Sequence, residues 1–438
     1  MGSSSLSKEL EGSLGFFWPF NAKVTDLRTD PERGYVHRDG GWLVIETLDE
    51  DVSRKFSARQ AEGSPEGIAA LLPEKSILFL ETIRAGWTQR GGYRASSRHY
   101  KARTALSNIP FDRLRSSKIL SLRASFHGIG DWADLSATEE NREMDEHGRL
   151  QSWTVTLKST AAIGHKLKHG RTLALSTTWK VDGDEDRRLL SAPVEVGCSS
   201  LRPRDVWDLL QPLLHVQELL NLAWEGFVAA DSGSAELHLK KRDGIDLSSR
   251  PELWNGALMV PLAGVSTPKS MDQSPLFSLS ALGGIAGLAR WIRLCDEYPR
   301  AVGPVVNRYR YGPTTAETSL LDIASAIEFW VRCNRPTAWA VGRPFAQALA
   351  GRVGDPFTQW VGDPDKWGKD FWGTYNKLKH EITYAIDPHR VSDLARSGRL
   401  LLTAALLNRV AGSKAPSRQL FCSHRTDRLG RGLRSLYT

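Results

Sequence analysis

The apolar positions change period near residue 270. In the first part of the chain they alternate in short runs. Tyr35-Val36-His37 and Trp42-Leu43-Val44-Ile45-Glu46 flank Arg38-Asp39-Gly40-Gly41, the pattern of a hairpin closed by Asp-Gly. Ser76–Ile83 reads as a buried strand, and Lys118–Phe126, Trp153–Lys158 and Arg171–Trp179 as further strands. Tyr93–Arg103 alternates less cleanly and is rich in cations, which fits an exposed strand face or a phosphate-binding patch. Residues 138–150 crowd charges of both signs and are expected to form a loop or short helix. Arg204–Ala223 recurs at three and four residues, so one helix, bent or divided at Pro212, interrupts the strands. His215 on it lies among Leu and Val and reads as a packed core residue. Ala235–Lys240 and Gly256–Leu262 look like strands again, and Ser266–Ser270 like a linker.

After the linker the period is helical. Thr318–Arg332 places Ile323, Ile327 and Trp330 on one face. Phe371–Ala385 gathers Trp372, Tyr375, Leu378 and Ile382 on one side, with Asp370 as a candidate cap and Asp387-Pro388 as a stop. A last helix is expected over Val391–Val410. The pattern predicts an α+β protein: a β-rich domain over 1–270 with a helix near 204–224, a helical bundle over 271–413, and a tail over 414–438.

Composition narrows the picture. At 438 residues the chain is too long for one core. With 41% apolar and 25% charged residues it is globular rather than disordered. The net charge of +8 permits a nucleic-acid partner, but much of the excess sits in the tail. From Lys414 onward there are six Lys or Arg and one acid, Asp427, the composition of a solvated basic end. Cys198, Cys295, Cys333 and Cys422 are scattered, which disfavours a zinc ribbon or a disulfide scaffold. No apolar run approaches a membrane span and Met1–Ser5 opens a polar segment, so a cytoplasmic location is expected. The fifteen tryptophans could offer stacking surface, though dispersed tryptophans usually anchor cores. Ala281–Cys295 carries three glycines but lacks the Gly-Lys-Ser/Thr ending of a phosphate loop. No cofactor or metal is expected.

The chemistry concentrates on the Phe371–Ala385 helix. Asn376 and His380 lie four apart, which puts an amide and an imidazole on one face, one turn from each other. The imidazole can exchange a proton near neutral pH, the amide can orient it, and Lys377 can offset the charge of a phosphate. A histidine on the solvated face of an amphipathic helix is the plainer reading of the same pattern.

This segment resembles the motif helix of the HEPN superfamily, whose nucleases carry Arg, four to six residues, then His, often as Arg-Asn-three residues-His. Asn376 and His380 match that spacing, and Tyr375 fills the arginine position. Leu320–Trp330 resembles the preceding helix of ApeA-like abortive-infection proteins, and Glu328 on it reads either as a carboxylate supporting the motif helix or as a surface carboxylate. Gly15-Phe16-Phe17-Trp18-Pro19, Gly41–Glu46 and Gly130-Asp131-Trp132 resemble segments of the ApeA N-terminal domain.

The resemblance implies a phage-defence endoribonuclease that cuts RNA, tRNA among the candidates, without metal, and that dimerises through its helical domain. His380 would be the acid/base, Asn376 its orienting partner, and Lys377 or Lys379 a replacement cation that also binds RNA. Tyrosine carries no positive charge at neutral pH, so Tyr375 cannot supply the arginine's electrostatic role. Either a lysine or a partner-chain arginine compensates, or the domain binds RNA without cutting it. The competing expectation is therefore a scaffold: a non-catalytic helical domain for dimerisation, coupled to an N-terminal domain that senses a phage product. A carbohydrate-directed hydrolase would rest only on the tryptophans, since no carboxylate pair supports it.

Overall fold

The computed structural model describes residues 5–20, 31–49, 64–89, 96–160, 162–184, 188–239, 250–268, 274–334, 344–381 and 387–438. The chain forms two compact units. One comprises Met1–Ile129, Ser136–Gln217 and Ala229–Leu262; the other comprises Gly130–Leu135, Glu218–Val228 and Ala263–Thr438.

The first unit opens with α1 (Ser5–Leu10) and the strands β1 (Ser13–Phe20), β2 (Glu32–Asp39), β3 (Trp42–Asp49), β4 (Gly67–Leu71), β5 (Ser76–Gln89) and β6 (Ser96–Ser107). Asp39 pairs with Trp42 across the predicted turn, where Gly40 takes φ 58°, a backbone state that costs glycine little. The ladder runs β6-β3-β2-β1-β4-β5 and returns to β6, so these antiparallel strands close into a barrel and leave no edge among themselves. Phe17, Val36, Ile45, Ile68, Phe79 and Ala102 fill it, with Leu6 and Leu10 of α1 in the same cluster. The Tyr93–Ala95 part of the expected cationic strand lies outside the described residues.

The remaining strands are β7 (Leu114–Phe126), β8 (Thr138–Met144), β9 (Leu150–Leu157), β10 (Ile163–Lys166), β11 (Arg171–Thr177), β12 (Lys180–Asp182), β13 (Leu189–Ser191), β14 (Val194–Arg204), β15 (Ala230–Leu239) and β16 (Leu253–Asn255). A second antiparallel sheet has the order β10-β11-β14-β7-β15, and β16 pairs with β6. Residues of β11 alternate between buried and half-buried, as the period of two requires.

Two local expectations are corrected here. Residues 138–144 are not a loop or helix but β8, paired with β9 as a solvated hairpin. Side chains pair across it, Glu139 with Lys158 at 2.6 Å and Arg142 over the Trp153 ring, and β8, unlike β9, carries no apolar alternation that would advertise it. Gly256–Leu262 is not a strand either. Gly256–Met259 forms a helical turn because the Asn255 side chain accepts hydrogen bonds from the Ala257 and Leu258 amides.

The expected single domain over 1–270 is also interrupted. Trp132 is fully buried in the helical unit, where its carbonyl accepts from the Leu279 amide at 2.9 Å. The end of α2 (Val206–Trp224) belongs there too: the Ala223 carbonyl accepts from the Leu276 amide, and the Ser266 carbonyl pins the Phe227 amide. Ser266 therefore lies in a fixed contact rather than a free linker, while residues 269 and 270 of that stretch lie outside the described residues.

The helical unit continues with α3 (Gly284–Glu297), α4 (Pro299–Val306), α5 (Ala316–Cys333), α6 (Phe345–Val353), α7 (Asp355–Val361), α8 (Pro364–His380), α9 (Pro388–Ala411), α10 (Ala415–Cys422) and α11 (His424–Tyr437). The β-rich unit followed by a helical bundle is the α+β arrangement that the pattern predicts. The 414–438 tail, expected as a solvated basic end, is instead α10 and α11 packed onto the bundle. Leu420, Phe421, Leu429, Leu433 and Tyr437 are buried, and the Phe421 ring meets Trp360 at 5.1 Å. These apolar residues recur at helical spacing among the arginines, a period that a charge count conceals. Among the described residues no helix is long and apolar enough to cross a membrane.

Candidate active site

The sequence of α8 explains its limits. Asp363 accepts hydrogen bonds from the Asp365 and Lys366 amides, and Pro364 follows at the first helical position. Asp363 is thus the cap, and Asp370, the expected one, lies inside the helix. There its carboxylate pairs with Arg390 at 2.8 Å and accepts from the Tyr437 hydroxyl. Burial, then this hydrogen bond, pushes the Tyr437 phenol above its usual range. The helix ends at His380 with Glu381 as its C-cap; the expected continuation over 382–385, Ile382 included, lies outside the described residues.

One face of α8 is fixed by packing. Trp367, Gly368, Phe371, Thr374 and Tyr375 are buried. The Trp367 indole donates to Ser397 on α9 at 3.0 Å, and Gln347 on α6 donates to the Asp365 carbonyl at 3.0 Å. The opposite face is exposed at Lys369, Asn376, Lys377 and His380. Lys369, Gly373, Asn376 and His380 follow one another at four, three and four residues, so they form a single stripe along the helix. A Cβ added at Gly373 would meet nothing within 4 Å, so the stripe is open in its middle.

Asn376 and His380 therefore share an exposed face, one turn apart, at the end of a helix anchored elsewhere in its length. A helical step of roughly 100° sets Lys377 on one side of this pair and Lys379 on the other. Tyr375 turns inward and is 7% exposed. Its hydroxyl accepts a hydrogen bond from the Lys379 ammonium at 3.3 Å, and that ammonium lies 5.5 Å from the ring centroid. The residue in the expected arginine position thus does not join the exposed face; it holds a cation that borders it. Between Lys369 and His380 the stripe offers one imidazole with amide and ammonium groups, a donor set suited to an anion and poor for a divalent cation.

Glu328, the expected supporting carboxylate, does not reach α8 directly. It pairs with Arg332 at 2.5 Å, one turn along α5. The Arg332 guanidinium lies 5.4 Å from the Phe345 ring, Phe345 packs on Trp372 at 5.3 Å, and Trp372 packs on Tyr375 at 5.0 Å. Glu328 is thus linked to Trp372 of the motif helix through one arginine and one ring. Sequence reasoning passed over Lys369, whose signal was its seven-residue spacing to Asn376, and Arg332, whose signal was its four-residue spacing to Glu328.

Residues 14–291 match the family model described as ApeA N-terminal domain 1, and residues 341–416 match the model described as Apea-like HEPN. The second match contains all of α8, whereas Glu328 and Arg332 lie outside it. No curated protein and no solved structure matches the chain.

Proposed function

Because the chain belongs to the ApeA family, we propose that it is an anti-phage abortive-infection protein whose α8 is the working element of a metal-independent endoribonuclease. The observation that carries this reading is the exposed Asn376–His380 pair, bordered by Lys377 and Lys379 and open over Gly373.

RNA brings its own nucleophile. His380 accepts the proton of a ribose 2′-hydroxyl, whose oxygen bonds to the adjacent phosphorus while the bond from phosphorus to the 5′-oxygen breaks. The leaving oxygen takes a proton, and a 2′,3′-cyclic phosphate and a 5′-hydroxyl end result. The phosphorane between these states carries extra negative charge, which Lys379, steadied by Tyr375, and Lys377 stabilise. Asn376 orients the imidazole or a phosphate oxygen. A second copy of the chain, facing the first across α8, would complete the groove, and the N-terminal unit would couple cleavage to a phage-derived trigger.

The inward turn of Tyr375 favours one other reading, in which the face binds RNA and holds a dimer without cutting. Purified protein and His380→Ala, incubated with labelled tRNA and total RNA in EDTA, separate the two. The nuclease reading expects cleavage that the substitution lowers by about 10²–10⁴-fold, with loss of protection in phage-challenged cells. Intact RNA with the unaltered protein, and protection that survives His380→Ala, would sink it.

A further inference from the structure

The helical unit gathers guanidinium groups that the α8 face does not use. Arg399, near the middle of α9, is half-buried, and its guanidinium donates to the Ser319 hydroxyl in the first turn of α5 at 2.6 Å. Its Nε is buried and has no acceptor. Arg396 stands three residues earlier, so the two arginines are neighbours on one face of α9. Arg308 opens the helical turn Arg308–Tyr311 that follows α4; it is half-buried too, with its guanidinium 5.5 Å from the centroid of the buried Tyr309 ring.

The charges here do not balance. The carboxylate that acts on Arg399 is Glu225, and it is already paired at 3.3 Å with Arg425, whose fork also takes the Ala223 and Trp224 carbonyls. Among the described residues no carboxylate pairs with Arg308, Arg396 or Arg399. Burial, then the neighbouring charge of Arg308, brings the Arg399 guanidinium down to about 10, and Arg396 adds to the repulsion. The α5 dipole acts in the same sense, because Ser319 lies at the positive end of an 18-residue helix, where an anion is favoured and a cation is not. Glu317 in that turn stands two residues from Ser319, roughly 200° around the helix, and so faces another side.

Charge withdrawn from water is ordinarily matched by an opposite charge or by acceptors. Here three guanidiniums lack a counter-ion and one buried N–H lacks an acceptor. The group is also separate from the candidate active site. Arg390 and Ser397 are the α9 residues that bond to Asp370 and Trp367 of α8, and a step of roughly 100° per residue turns Arg396 and Arg399 to the side of α9 away from them.

We propose that Arg308, Arg396 and Arg399 bind the di- or triphosphate group of a small ligand, beside the first turn of α5 and on the far side of α9 from α8. Guanidinium forks match phosphate oxygens, and a single phosphate, with a charge of about −1.5 to −2, leaves part of this cluster unmatched, whereas a second phosphate supplies the rest. Two of the three arginines are half-buried, which suits a compact anion entering a notch better than a strand laid along an exposed row. A turn of the Arg399 side chain brings its Nε–H onto a bound oxygen. The ligand then ties α5, α9 and the turn after α4 together, so occupancy stabilises the bundle.

The test is isothermal titration of the full chain with inorganic pyrophosphate, ADP, ATP, orthophosphate and a short 5′-hydroxyl RNA. Pyrophosphate and both nucleotides should bind at least tenfold more tightly than orthophosphate. Equal affinity for pyrophosphate and the nucleotides identifies the phosphate chain alone as the ligand, and tighter binding of the nucleotides identifies a nucleotide. Arg308→Ala combined with Arg396→Ala should weaken binding at least tenfold, whereas Arg418→Ala combined with Arg428→Ala, two exposed cations elsewhere in the unit, should leave it unchanged. Arg399→Met should abolish binding without lowering the Tm of the unliganded protein, since it removes a half-buried charge that has no counter-ion. His380→Ala should bind as the unaltered protein does, whether or not the nuclease reading stands. The proposal is overturned if none of the di- and triphosphate probes binds, if the Arg308–Arg396 double variant binds them undiminished, or if the RNA binds and loses its affinity in that variant, which would place a strand there instead.

Discussion

The Lys379 ammonium donates a hydrogen bond to the Tyr375 hydroxyl at 3.3 Å and sits 5.5 Å from the centre of its ring. Tyr375 is buried and Lys379 is exposed, so the pair carries positioning from the packed side of α8 to its open side. A tyrosine without charge can in this way fix a charge that the face uses.

Tyr375→Phe keeps the ring and removes the hydrogen bond, worth roughly 1 kcal/mol, or about fivefold in rate. In the Lys379→Ala background the same substitution should have no further effect, because the cation it steadies is gone. Cleavage rates of the four members of this cycle check the coupling. Equal effects of Tyr375→Phe in both backgrounds would show that the tyrosine acts by another route.

Gly398 of α9 marks where three helices meet. A Cβ there would come 2.5 Å from the Phe371 ring on α8 and 3.1 Å from Ile323 on α5. In an open helix Gly→Ala stabilises by about 1 kcal/mol. Here the clash with a fully buried ring should reverse the sign, and overpacking costs about 1–3 kcal/mol. Thermal denaturation of Gly398→Ala should give a lower Tm; a higher one would contradict the packing of α8 on α9.

Glu81 gives the barrel a pH dependence. It takes φ 53°, its carboxylate accepts from the Thr104 hydroxyl and, at 3.4 Å, from the Asn255 amide, and burial raises its pKa above the ordinary carboxylate value. The folded state therefore keeps this proton at pH values where the unfolded chain has lost it. The stability this contributes is fully present below the unfolded pKa, about 4.3, and is lost as pH rises through the folded one. Glu81→Gln, which retains an acceptor oxygen without the charge, should raise the urea midpoint at pH 7, and the gain should shrink as the pH falls below about 4. A gain that persists in acid would place its origin outside the ionisation.

Local periodicity settled much of this protein in advance. The alternation of Tyr35–Asp39 and Trp42–Glu46 about Asp39-Gly40 specified a hairpin, and the same rule at a step of 3.6 placed Asn376 and His380 on one face, because side-chain direction along a strand or helix depends only on neighbours in the chain. What such patterns do not encode is what each face meets. The closure of β5 on β6, the pairing of Asp370 with Arg390 and Tyr437, the inward turn of Tyr375 and the approach of Arg308 to Arg399 were decided by the tertiary structure. Each joins groups whose placement depends on long-range packing, which no window of sequence contains. The arginine-rich helices at 415–437 belong with these: their apolar stripe is legible, but only a bundle with Phe357 and Trp360 waiting made it a buried one.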